Sequence, residues 1–269
     1  MKRLSLLGWV ALAVVVFWMA VAIAGPFFAP HPAGRIVGAP FMHLGEGYVL
    51  GTDYLGRDML SRILYGARYT VGVALLGTVL ACVLGVSLGL VAAVRGGLFD
   101  GVVSRAGDAL IAIPHLMFAL VVVAALGSSI GVLVLMLAIS YTPGAYRIAR
   151  ALGQNINAME FIQVARARGE GTGYILAAEV LPNMVLPVLT DFGLRFVFAV
   201  LLLSGLSFLG LGIQPPNADW GALVRENIEG IYEVAPAVIV PAIAIASLTV
   251  AVNLLIDATG GGARTDEAR

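Results

Sequence analysis

The sequence predicts an all-α membrane protein with six transmembrane helices, and three observations carry that prediction. Hydrophobic residues make up 60% of the 269 and charged residues only 12%, a balance outside the range of soluble domains. Six apolar blocks, 6–24, 70–94, 103–126, 131–152, 180–203 and 235–256, approach or exceed the roughly 20 residues a helix needs to cross the hydrocarbon core. Between the fourth and fifth blocks lies a polar, glycine-broken stretch, "EFIQVARARGEGTGYILAAEVLPN" (160–183), far too short in apolar length to cross.

Composition also excludes functions. Net charge is zero and no basic run exists, so nucleic acid is not an expected partner. The single cysteine, Cys82, lies inside an apolar block and rules out an internal disulfide and a cysteine-rich metal site. Lys2 is the only lysine, so no phosphate-binding loop ending in Gly-Lys-Ser/Thr can be present. If ATP drives this protein, another chain binds it.

The first block begins after Lys2 and Arg3 and ends near Ala22-Ile23-Ala24, a pattern shared with secretory signals. A signal core holds about 7–15 apolar residues, and this run is longer, which predicts a retained anchor. A Pro- and Gly-rich connection follows, ending in "GTDYLGRDMLSRILYGARYT". There Met59, Ile63, Leu64 and Ala67 share a helical face, which predicts a short helix either at the membrane interface or on the rim of the bundle. The second block carries Gly77, Ala81, Gly85, Gly89 and Ala93 at four-residue spacing. Such a stripe lets another helix approach closely, the preferred reading; it could also line a passage. Gly85-Val86-Ser87-Leu88-Gly89 matches the nucleophile-elbow pattern, but the elbow needs a strained strand-to-helix turn and these glycines belong to a helical stripe. The fourth block contains Pro143-Gly144 and the fifth Pro187.

Six spans place both termini on one side. With termini inside, ten of the sixteen basic residues lie on the cytoplasmic side and five outside, and Arg195 lies within a span. The positive-inside rule therefore predicts that 160–183 faces the cytoplasm. Residues 155–167 are expected to form a short helix with Ile156, Met159, Ile162 and Ala165 as an apolar seam. Gly169, Gly171 and Gly173 then permit a reversal.

His31 and His43 stand in the outer connection without ligand-spaced companions, and His115 follows Pro114 on the third block; the three do not make a metal site. Charges at membrane depth are costly unless paired or wetted. Asp191 and Arg195, four apart, either neutralise one another or line a water-filled path.

The polar stretch resembles the signature of the inner-membrane subunits of binding-protein-dependent ABC importers. Its core is Gln163-Val164-Ala165, its glycine Gly169 and its close Val180-Leu181-Pro182-Asn183; Gln163 stands where the family carries an acid and Val164 where it carries alanine. "GTDYLGRDMLSRILYGAR" (51–68), "SFLGLGIQPPNADWG" (207–221) and "NLLIDA" (253–258) resemble hallmark segments of the dipeptide, oligopeptide and nickel importer permeases, the second of the paired subunits. The resemblance implies a type I importer permease with a cytoplasmic coupling helix seated on an ATPase. That helix would comprise Glu160, Phe161, Gln163, Val164, Ala165, Arg166, Ala167 and Gly169, with Ala165 small enough to enter a groove and Gly169 supplying the bend. It implies, as partners, a homologous permease, two ATP-binding subunits that hold ATP and Mg, an extracytoplasmic solute-binding protein and membrane lipid; this chain would hold no cofactor and perform no catalysis. Peptide is the expected solute and nickel the alternative.

The expected division is an anchor and outer loop at 1–69, a transmembrane domain at 70–258 and a cytoplasmic tail at 259–269. Asp191, Arg195, Gly85 and Gly89 are candidates for the path. A competing class is a proton-driven secondary transporter using Asp108, Asp191 and Asp257, for which no internal repeat is evident.

Overall fold

The computed structural model describes residues 5–45, 47–233 and 236–260. The described chain is a bundle of helices: α1 (Leu6–Phe28), α2 (Met59–Arg95), α3 (Gly97–Ile111), α4 (His115–Leu126), α5 (Ile130–Asn157), α6 (Glu160–Ala167), α7 (Thr172–Tyr174), α8 (Leu181–Phe208), α9 (Trp220–Glu226) and α10 (Pro236–Gly260). A π-helical turn, Ile175–Val180, joins α7 to α8, so that Thr172–Phe208 runs as one long helix.

The spine is the pair α2 and α5. A Cβ at Gly77 would meet that of Leu137 at 2.7 Å, one at Gly85 that of Ala145 at 2.6 Å and one at Gly89 that of Ala149 at 2.8 Å. Positions rise together along both chains, so α2 and α5 run parallel. The glycine stripe is therefore a close helix contact and not a passage, which removes Gly85 and Gly89 from the candidate path residues. It also places the G-x-S-x-G pattern inside a continuous helix.

Parallel α2 and α5 decide the topology between them. The chain must return from the end of α2 to its starting level before α5 begins, and only α3 and α4 can carry it there. These two are bent by 88° at their junction, where Pro114 lacks the N–H that a helix interior needs. The third span is thus a broken one rather than the single straight helix expected over 103–126. Neither half would cross alone: α4 is 12 residues, about 18 Å at helical rise.

Gly25 of α1 lies beside Leu64 near the start of α2. Leu186–Phe196 faces the last turns of α10 and Leu201–Phe208 faces its first half. Alternation is therefore complete, with six crossings among the described residues, and Leu6 and Gly260 lie at the same end as α6. That end is called the α6 end below and the opposite one the far end. Trp18 ties α1 to α10 through Nε1–H donating to Ser247 Oγ at 2.9 Å, and its ring meets Trp220 edge-on at 4.7 Å.

Of the two readings open for residues 59–67, at the interface or packed on the bundle, the packed one is met, although the segment is not a separate element. Asp58 caps α2, accepting from the Ser61 backbone N–H at 3.0 Å, and the helix continues to Arg95, so a domain boundary at 69/70 would cut it. Met59, Ile63 and Ala67 are buried, and Trp220 Nε1–H donates to the Ile63 carbonyl at 3.1 Å. The face meets α9 and not lipid. Residues 261–269 of the expected tail lie outside the described residues.

Candidate functional site

At the far end, a buried charge network replaces hydrophobic packing. Arg57 Nε lies 2.6 Å from Asp53, and Arg62 Nη2 lies 2.8 Å from Glu226, which also accepts from Arg57 at 3.0 Å. Two cations and two carboxylates compensate one another, which is what burial of charge requires. Asp219, wholly buried, caps α9 by accepting from the Ala222 N–H at 2.9 Å and accepts from Ser207 Oγ–H at 2.7 Å. Its burial pushes the carboxyl up to about 6, against the pull of those hydrogen bonds. His31 of the outer connection sits with Nδ1 3.7 Å from Asp58.

At bilayer depth, Arg195 chelates Asp191 through Nε at 2.6 Å and Nη2 at 2.8 Å, while Nη1 donates to the Tyr141 carbonyl at 3.1 Å. Of the two open readings, self-neutralisation is therefore met in this chain. Gly144 makes room for it: a Cβ there would lie 2.5 Å from Arg195 Nη1. Asp108 pairs likewise with Arg147 at 2.5 Å. Two of the three carboxylates that a proton-driven route would use are thus held by arginines, which weakens that reading. At the α6 end of α3, Asp100 accepts from the Arg150 guanidinium and from Tyr146 Oη–H, the latter at 2.9 Å, fastening α3 to α5.

The α6 region is built from a helix end inward. Helix α5 runs on to Asn157 and stops, and α6 starts anew at Glu160; the single helix expected over 155–167 is broken at Ala158 and Met159. A negative residue in the first turn, Glu160, and Arg166 in the last suit the helix dipole. The helix closes in a Schellman motif: Glu170 N–H donates to the Ala165 carbonyl at 3.2 Å and Gly169 N–H to that of Arg166 at 2.9 Å. Gly169 takes φ +85°, the left-handed conformation glycine adopts without a Cβ penalty.

Two faces of α6 have opposite surroundings. Ile162 and Ala165 are fully buried, packed with Leu90, Ala149, Ile156, Ile175, Val180 and Met184 in a satellite core. Phe161 is 40% exposed, Val164 57% and Met159 48%, and Glu160, Gln163, Arg166, Ala167 and Arg168 are exposed beside them. This corrects the role expected for Ala165. Its small side chain allows α6 to lie close on its own bundle, and it is not available to a groove in another protein. The residues a partner can reach are Phe161 and Val164 with their polar neighbours. The close of the motif is also local: Pro182 has no N–H to give, and Asn183 Nδ2–H donates to the Glu179 carbonyl at 2.6 Å.

A six-crossing helical bundle with a short amphipathic helix perched at one end, greasy side chains outward, defines a multi-pass membrane protein. Comparison with known proteins agrees. Residues 85–260 match the model of the binding-protein-dependent transport system inner membrane component, and the chain belongs to that family of multi-pass inner-membrane proteins. It is 32% identical over 264 residues to the dipeptide transport system permease protein DppC of Haemophilus influenzae, spanning 95% of this chain and 88% of that one. It is 32% identical to the glutathione transport system permease protein GsiD of Pectobacterium atrosepticum, spanning 90% and 81%. With the peptide transport system permease protein SapC of Escherichia coli O6:H1 it shares 34% identity over 88% of this chain and 82% of the other.

Proposed function

We propose that this chain is one of two homologous permease subunits of an ATP-driven peptide importer, and that α6 couples an ATPase to the bundle. The observation that carries the coupling reading is the two-faced α6: one face locked into the chain's own satellite core, the other offering Phe161 and Val164 to a partner. A solvated loop helix would leave no reason to expose two large apolar side chains side by side. Peptide as solute rests on the names of the relatives, which are permeases of dipeptide, glutathione and peptide systems. In this reading the α6 end and both chain termini are cytoplasmic. A solute-binding protein delivers peptide at the far end, two ATP-binding subunits dock at the α6 end, and ATP and Mg reside on them. This chain supplies movement and a route, not bond chemistry.

The test is ATP-dependent uptake of a labelled dipeptide by proteoliposomes holding the complete complex. Phe161→Glu with Val164→Glu is expected to lower uptake at least tenfold while the two permeases still co-purify. Unchanged uptake in that variant, or uptake that persists without ATP and collapses with a protonophore, overturns the proposal.

A further inference from the structure

The break between α3 and α4 lies at an unusual place. His115, the first residue of α4, packs against Tyr141 with ring centroids 5.1 Å apart and the rings tilted by 46°, and the Tyr141 carbonyl accepts from Arg195. Tyr141 lies about 17 Å from the far end of α5 and Arg195 about 20 Å from that of α8, at 1.5 Å per residue. The hydrocarbon core is about 30 Å thick, so the elbow sits well inside it.

That elbow is exposed: Ala112, Ile113, Pro114 and His115 all face outward from this chain. Non-helical backbone at membrane depth is tolerated only where protein covers it or where it borders water. Ionisable side chains at that depth follow the same rule, and His115 is exposed beside an Asp191–Arg195 pair that is itself only about one-tenth exposed. Lipid can satisfy neither the backbone of the elbow nor the imidazole. The surface offers an imidazole and freed backbone groups next to an ion pair with no net charge. A path for an amide-bearing zwitterion needs such groups, able to exchange hydrogen bonds without holding the solute by charge.

We infer that the α3–α4 elbow lines the aqueous route through the importer and that His115 is a specificity-determining residue that contacts the transported peptide there. This rests on the importer reading above and adds the place where solute meets this chain.

The experiment uses the complete complex with Cys82→Ala in this chain and other reactive cysteines replaced. His115→Cys is compared with Val121→Cys, which lies on the outward face of α4 at 68% exposure, for reaction with a membrane-impermeant methanethiosulfonate. The expected result is reaction at least tenfold faster at His115→Cys, slowed at least threefold by saturating dipeptide with its binding protein. A rate at His115→Cys no greater than at Val121→Cys, in a complex that co-purifies intact, places the elbow under lipid or a partner helix and overturns the inference. Fast reaction that dipeptide never slows, in a complex that imports that dipeptide, overturns the solute contact. Failure of the peptide reading looks different: fast labelling persists, yet the complex with His115 intact imports no peptide.

Discussion

Substituting Gly85 with alanine tests whether the stripe on α2 is a packing surface. The added Cβ would stand 2.6 Å from the Ala145 Cβ, 2.7 Å from the Thr142 carbonyl oxygen and 2.8 Å from the Tyr146 nitrogen. Comfortable separations between such atoms are about 3.5–4.0 Å, and all three neighbours are backbone or Cβ atoms that cannot swing aside. The helices must part locally by roughly 1 Å, and overpacking of that kind costs about 1–3 kcal/mol. Against this, alanine improves helix propensity by up to about 1 kcal/mol. Gly72, on the same helix, has no atom within 4 Å of its ideal Cβ, so Gly72→Ala collects the propensity gain alone. The difference between the two variants is therefore the packing penalty, about 1–3 kcal/mol.

The measurement is unfolding of the purified chain in mixed micelles by titration with SDS, followed through intrinsic tryptophan fluorescence, to which buried Trp220 contributes. Gly85→Ala is expected to unfold at a lower SDS fraction than Gly72→Ala. Adding Gly89→Ala to Gly85→Ala should cost less than a second full increment, because helices already spread meet the second methyl with less overlap. A Gly85→Ala chain at least as stable as Gly72→Ala, but defective in transport, would refute the packing account and return the stripe to the path.

Three further predictions follow from the sites. Ala165→Glu places a carboxylate in the satellite core under α6 and is expected to raise trypsin cleavage at Arg166 and Arg168 at least tenfold, whereas Val164→Glu, on the outward face, leaves cleavage unchanged within about twofold because few contacts there open; equal cleavage in both would contradict the assigned faces. Arg195→Gln alone leaves Asp191 without its partner and costs about 3–5 kcal/mol, while pairing it with Asp191→Asn recovers about 1–3 kcal/mol of that loss, read by the same SDS titration in a double-mutant cycle. Asp219 has a raised carboxyl pKa, so the fold favours its neutral form. Its stabilising contribution is complete below the ordinary carboxylate value of about 3.9 and is lost as pH rises through about 6. The stability gap between the native chain and Asp219→Asn should therefore shift in favour of the native residue on going from pH 7.5 to 4.5; a gap independent of pH would contradict the burial assigned to that carboxyl.

Most of the architecture was legible because hydropathy and helix length are set by the bilayer and not by tertiary detail. Five spans match apolar blocks to within several residues, apart from α2, whose first turns were assigned to a separate helix. That error has a physical source. Met59, Ile63 and Ala67 look alike whether their face meets lipid headgroups or Trp220, and only the partner distinguishes them. The elbow was signalled by Ile113-Pro114, but Pro143 and Pro187 carry the same local signal inside helices that stay continuous, so sequence could not say which proline breaks a span. For α6 the periodicity of Ile162 and Ala165 was readable as an apolar seam, yet which way the seam faced was not. A buried small residue and a small residue that admits a partner leave the same mark. The arginine pairs were half visible: Asp191 and Arg195 by their spacing, Asp100 and Arg150 not at all, since fifty positions separate them.

In the coupling proposed for α6, the company of its buried face is what would suit it to transmitting movement. Ile162 and Ala165 touch residues from α2 (Leu90), α5 (Ala149, Ile156), the π turn (Ile175, Val180) and α8 (Met184) in one small cluster. Because α2 and α5 are zipped at Gly77, Gly85 and Gly89 with no space for a methyl group, those two helices respond as one body; packed cores switch between arrangements and do not stretch. Displacing α6 therefore cannot be absorbed between α2 and α5. The breaks in regular helix lie at the two ends of α6, at Ala158–Met159 and at Gly169, and in the π turn at the base of α8, an irregularity frequent at functional sites. In the proposed coupling, a pull on Phe161 and Val164 would thus be delivered to the relation between α8 and the α2–α5 pair, the relation across which Arg195 of α8 holds the Tyr141 carbonyl of α5 beside the elbow. On that proposal, Arg195→Gln should lower ATP-dependent dipeptide uptake by the complete complex while leaving co-purification with the proposed ATP-binding subunits unchanged.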